Sequence, residues 1–68
     1  MTNGINNMII RETPKNKEKY IVVTSFVSNV LNMRGFIPKY IDENFIYYTK
    51  DDEIIKFMKK EGLKCQNI

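Results

Sequence analysis

The chain has 68 residues, of which 11 are basic and 8 acidic, so its formal net charge is +3. A chain of this length forms one small domain that buries only about 60% of the surface exposed by its unfolded form. It has no histidine and one cysteine, Cys65, which excludes an intrachain disulfide, a structural zinc site and histidine-based catalysis. We therefore expect no enzyme activity, no metal and no cofactor, and we expect self-association to supply added stability.

The chain divides into three parts. Residues 1–19 are expected to form a weakly structured segment whose short apolar run, MII, offers one extra strand. Its last part, PKNKEK at 14–19, is a polar connector, because Pro14 has no amide donor and lysines alternate with other polar residues. The folded domain is expected over 20–64, and 65–68 form a tail.

The clearest predicted strand is 19–25, KYIVVTS, whose four consecutive β-favouring residues end at two hydroxyl residues. A helix is predicted over 26–34, and Gly35 just beyond it is expected to adopt the left-handed conformation that ends helices. At 100° per residue, the apolar side chains of this helix fall in one stripe that we expect to face the core. That stripe consists of Phe26, Val27, Val30, Leu31 and Met33.

An antiparallel hairpin is predicted from 36–42 and 44–50. The residues between these strands favour turns, and Asn44 tolerates the left-handed backbone of a three-residue loop. Pro38 cannot donate a hydrogen bond to a neighbouring strand, which indicates that its strand lies at an edge of the sheet.

The last helix is predicted within 49–64, with Thr49 and Asp52 forming a variant capping box and Gly62 ending the helix. The element order is then (β)-β-α-β-β-α. This order predicts an α+β fold, with a three- or four-stranded, mostly antiparallel sheet and two helices on one face.

Aromatic side chains concentrate on the predicted strands. Because both helices cover one face of the sheet, alternation places some of these aromatics on the other face, which we expect to be open. Exposed aromatics suit contact with a second copy or a protein partner, and they also suit stacking with single-stranded bases. The predicted partner or oligomer interface comprises the tyrosines and three uncharged positions of the first helix: Tyr20, Tyr40, Tyr47, Tyr48, Ser28, Asn29 and Asn32.

Four lysines lie along one side of the predicted last helix, and an arginine lies in the last turn of the predicted first helix. They form a candidate contact for an anion or a nucleic-acid backbone, which would be strongly salt-dependent and would not read sequence. Charge balance at the helix ends accounts for the same residues without a ligand, so both interpretations stay open. The residues concerned are Arg34, Lys56, Lys59, Lys60 and Lys64.

The stretch from Tyr20 to about Lys60 resembles a family of small uncharacterised domains from Gram-positive bacteria and their phages. The shared motif is a Thr-Ser pair at 24–25, where a strand ends, followed by an Arg-Gly-Phe turn at 34–36, where a helix ends. This resemblance implies the fold pattern and a phage or mobile-element setting. It brings no catalytic residues.

These observations predict a small non-enzymatic phage or mobile-element protein that inhibits or sequesters a host component, such as a defence system, as a homo-oligomer. Two alternatives stay open: a nucleic-acid-binding accessory or regulatory protein, and a sponge for a small nucleotide bound between protomers. The sequence has no apolar run of about 20 residues for a membrane span and no pattern of a signal peptide. We therefore expect a location in the host cytoplasm.

Overall fold

The computed structural model describes residues 9–66, which form two α-helices and a three-stranded antiparallel sheet. The elements are β1 (Tyr20–Val23), α1 (Ser25–Met33), β2 (Tyr40–Ile41), β3 (Ile46–Thr49) and α2 (Asp52–Glu61). The strands lie in the order β1-β3-β2, so β3 is central and pairs antiparallel with both neighbours. The predicted α+β class and the order of its elements are confirmed.

Both helices pack on one face of the sheet. Ile21 pairs with Tyr48, and Val23 pairs with Ile46, so alternation directs these side chains to the same side. The core forms where they meet apolar side chains of α1 and α2. Its buried members are Ile21, Val23, Val27, Leu31, Tyr48, Ile54 and Met58.

The ends of α2 are defined by a side chain at one end and a glycine at the other. The Asp51 carboxylate accepts a hydrogen bond from the backbone N–H of Ile54 at 3.0 Å, so Asp51 is the N-cap. The predicted capping box is wrong, because Thr49 is the last residue of β3. Gly62 ends the helix with φ +72°, as predicted.

The sheet face turned away from the helices is covered by the segment that precedes β1. Ile10 forms a parallel bridge with Tyr40 at the edge of β2, and Pro14 is buried. Tyr47 lies on this face, yet only 1% of its surface is exposed. The expectation of an open face is therefore wrong. Ile10 belongs to the predicted extra strand, whereas Met8 lies outside the described residues.

A single carboxylate ties this segment to the turn between β2 and β3. Asp42 accepts hydrogen bonds from the backbone N–H groups of Asn44 and Phe45 and from the hydroxyls of Thr13 and Tyr47, all at 2.7–2.8 Å. The Tyr47 hydrogen bond is the largest cause that holds the pKa of Asp42 well below its usual range. Burial, helped by the Asp42 carboxylate, raises the pKa of Tyr47 to about 12.

Candidate functional site

The orientation of α1 on the sheet is set by a buried polar cluster. The Tyr48 hydroxyl lies 2.8 Å from the Ser28 Oγ and donates to the Asn32 Oδ1 at 2.6 Å. Tyr48 and Ser28 are only 1% and 4% exposed, and burial raises the pKa of Tyr48. Because a buried hydroxyl is costly without a partner, the polar positions 28 and 32 turn toward the sheet.

This rotation leaves an apolar face of α1 in solvent. Phe26 is 72% exposed and Met33 is 86% exposed, while Val30 between them is half-buried. Together with Asn29, these residues follow the i, i+3, i+4, i+7 spacing of one side of a helix. We call Phe26, Asn29, Val30 and Met33 the outer face of α1.

The sequence prediction for the buried side of α1 is partly corrected. Val27 and Leu31 are buried as expected, but Phe26 and Met33 are not. The physical reason is the hydroxyl of Tyr48, which requires polar partners on the helix that covers it. A tyrosine on the central strand and two small polar residues one helical turn apart were the signal that could have revealed the outer face.

The outer face belongs to a helix without charged residues. Residues Ser25–Met33, SFVSNVLNM, contain no acidic or basic side chain, although the whole chain carries a net charge of +3. The nearest basic residue in sequence, Arg34, places its guanidinium 5.0 Å from the centre of the Phe57 ring. Arg34, predicted as an anion contact, therefore has an aromatic neighbour in this structure.

The fold buries some residues of the predicted tyrosine interface and leaves others partly exposed. Tyr47 and Tyr48 are buried, as is Ser28, so the expectation that these three line a contact surface is wrong. Tyr20 and Tyr40 are half-buried, and their rings meet edge to face with centroids 5.3 Å apart. Burial, with the neighbouring Tyr20, raises the pKa of Tyr40.

The remaining predicted contact residues are accessible. Asn29 and Asn32 are exposed, although the Asn32 side chain is hydrogen-bonded to the Tyr48 hydroxyl. The predicted lysines also lie in solvent, three on α2 and one on the chain that follows it. They are Lys56, Lys59, Lys60 and Lys64. A role for these residues in binding stays a prediction.

The described residues show neither a cluster of metal ligands nor a helix that could span a membrane. Within residues 9–66, no group of three or more acidic or cysteine side chains is arranged to hold a metal ion. Neither α1 nor α2, the helices of this described part, is long and apolar enough to cross a bilayer.

Comparison of the chain with protein-family models, curated proteins and solved structures finds no match. The resemblance to the small phage domains therefore rests on the residue pattern at 24–25 and 34–36, and it stays a prediction.

Proposed function

We propose that this chain is a small non-enzymatic binding protein that self-associates through the outer face of α1 and, as a homo-oligomer, inhibits or sequesters a host component. The observation that supports it best is the exposure of Phe26 and Met33 on a helix without charge. Clusters of large exposed apolar side chains are typical of protein contact surfaces. The phage or mobile-element setting follows from the sequence resemblance.

The absence of charge on α1 favours a second copy of the chain as the partner of the outer face. The chain is basic overall, and its exposed lysines on α2 would repel an identical surface. The α1 surface has no charge to repel a copy of itself. Two antiparallel α1 helices would also place each helix N-terminus beside the C-terminus of the other, which is the favourable arrangement of their dipoles.

Two-fold symmetry gives this contact a specific geometry. In an antiparallel pair centred near Val30, Phe26 of one copy faces Met33 of the other, and the reciprocal contact repeats across the axis. A thioether against an aromatic ring is a favourable contact. Such a dimer leaves the α2 lysines of both copies free, which supports an acidic surface on the host component as the second partner.

A charge-exchange experiment tests the proposal. Phe26→Lys and Met33→Glu should each convert an oligomer into a monomer in light scattering. An equimolar mixture of the two variants should recover a heterodimer, because the introduced ammonium of one chain then faces the introduced carboxylate of the other. Circular dichroism confirms that each variant is folded.

Ile55→Lys on α2 is the matched control, since Ile55 is also an exposed apolar residue, at 37%. This variant should keep the oligomeric state of the unmodified chain. A monomeric mass for the unmodified chain, or equal dissociation by Ile55→Lys, would reject the proposed interface. Capture of a host protein by the unmodified chain and not by the monomeric variants would link oligomerisation to function.

A further inference from the structure

A groove runs along the outer edge of β1, which is the edge that does not pair with β3. It is bounded by the chain before β1 and by the chain after α2, and its volume is about 600 Å³. Its lining includes three lysines, Lys15, Lys17 and Lys50, and one acidic residue, Glu18. Sites for nucleotide-sized molecules have volumes of this order.

Two hydrogen bonds connect the walls of the groove to the sheet. The Lys50 Nζ donates to the backbone carbonyl of Glu18 at 2.8 Å, which joins the end of β3 to the chain before β1. The backbone N–H of Gln66 donates to the carbonyl of Val22 at 2.7 Å on the opposite wall. The first bond uses one of the three donors of the Lys50 ammonium and fixes the position of its charge.

An apolar pocket adjoins the groove and adds apolar side chains to its lysine-rich lining. The pocket has a volume of about 240 Å³ and shares Ile21, Lys50 and Cys65 with the groove. Ile55, Met58 and Leu63 complete its apolar lining. Lys59 also lines this pocket, so one continuous surface combines several ammonium groups with an apolar patch.

We infer that this groove binds a small organic phosphate of nucleotide size. Its phosphate groups would lie against Lys15, Lys17 and Lys50, because an ammonium binds phosphate as a compact point charge. Its apolar or aromatic part would lie along the edge of β1 at Ile21, toward the adjoining pocket. The groove contains no residue of α1, so this site is separate from the proposed oligomer interface.

Titration with four probes tests the inference by calorimetry and by amide chemical shifts. ATP represents a nucleotide, and dodecyl phosphate represents a lipid-like phosphate. Adenosine lacks the phosphate groups, and inorganic phosphate lacks the organic part of the ligand. We expect binding of ATP or of dodecyl phosphate, with shifts at Tyr20 and Ile21. Whichever of the two binds identifies the source of the phosphate. Adenosine and inorganic phosphate should bind at least about tenfold more weakly.

Matched lysine pairs separate a built site from general attraction to a basic protein. The Lys15→Gln/Lys17→Gln variant should weaken binding at least about tenfold, because two charged contacts are lost. The Lys56→Gln/Lys60→Gln variant loses the same amount of charge, but both residues lie on α2. It should weaken binding of the organic phosphate by less than about twofold. Equal weakening by both pairs, or no binding of either organic phosphate at about 1 mM, would overturn the inference.

Discussion

The hydroxyl of Tyr48 lies 2.8 Å from the Oγ of Ser28, although 20 residues separate them in the chain and both are buried. This contact joins the central strand to the helix that covers it. Because the two hydroxyl groups form a hydrogen bond only when Ser28 faces Tyr48, the contact fixes the rotation of α1 about its axis. The same rotation directs Phe26 and Met33 into solvent.

A double-mutant cycle on this pair tests its role. Tyr48→Phe should lower the free energy of unfolding by about 1–3 kcal/mol, because the Ser28 hydroxyl loses its buried partner. Ser28→Ala should cost about 1 kcal/mol, and the double variant should cost less than the sum by at least about 0.5 kcal/mol. Urea denaturation measures each value.

Asn29→Ala is the control for this cycle, since Asn29 lies on the solvent side of the same helix. It should change the free energy of unfolding by less than about 0.5 kcal/mol. Strict additivity of the Ser28 and Tyr48 substitutions would show that the hydrogen bond does not couple the helix to the sheet.

The N-cap of α2 gives a second prediction. Asp51→Ala should lower the free energy of unfolding by about 1 kcal/mol, because the N–H of Ile54 loses its acceptor. Asp51→Asn removes the charge but keeps a side-chain oxygen, so it should cost less than about 0.5 kcal/mol. Thermal or urea unfolding compares the two variants, and an equal loss in both would assign the effect to charge.

Low pH should weaken the structure through Asp42. The folded-state pKa of Asp42 is depressed, chiefly by the Tyr47 hydrogen bond, so its stabilising contribution is fully present above the unfolded value of about 3.9. That contribution is lost as pH falls below this value. The Tm should therefore fall between about pH 4 and pH 2, and Asp42→Asn should show a flatter profile there. Parallel profiles in the two proteins would contradict this assignment.

High pH should act on the partner of that hydrogen bond. Burial raises the pKa of Tyr47 to about 12, so the stabilisation linked to its protonated hydroxyl is present below about pH 10. It is lost as pH rises through about 12. Tyrosinate absorbance should include the ionisation of Tyr47 near that pH, and Tyr47→Phe should remove that part of the titration. A titration of Tyr47 near the ordinary tyrosine value of about 10 would contradict the prediction.

Local signals in the sequence were sufficient for much of the fold. Gly35 and Gly62 have positive φ where α1 and α2 end, and β1 was predicted from its run of β-favouring residues, because these features depend on neighbouring residues. The rotation of α1 was not predictable in this way. It depends on Tyr48, which is distant in sequence.

The cover over the second sheet face escaped sequence analysis for a similar reason. It involves contacts between residues distant in sequence, among them the bridge between Ile10 and Tyr40 and the hydrogen bond from Thr13 to Asp42, 29 residues away. The amphipathic pattern of α1 correctly indicated a helix but assigned Phe26 and Met33 to the core. A periodic pattern identifies an apolar side of a helix, whereas the contacts available across the fold decide which side is buried.

The dependence of Tm on protein concentration distinguishes the two sides of α1. If the outer face of α1 is an interface, the Tm of the unmodified chain should rise with concentration, because association stabilises the folded state by mass action. Phe26→Ala should abolish that rise and leave the Tm of the dilute protein nearly unchanged, since Phe26 is 72% exposed. Leu31→Ala removes a fully buried side chain and should cost about 2–5 kcal/mol at every concentration. Calorimetry over a roughly hundredfold range of concentration makes the comparison, and a constant Tm for the unmodified chain would reject self-association through α1.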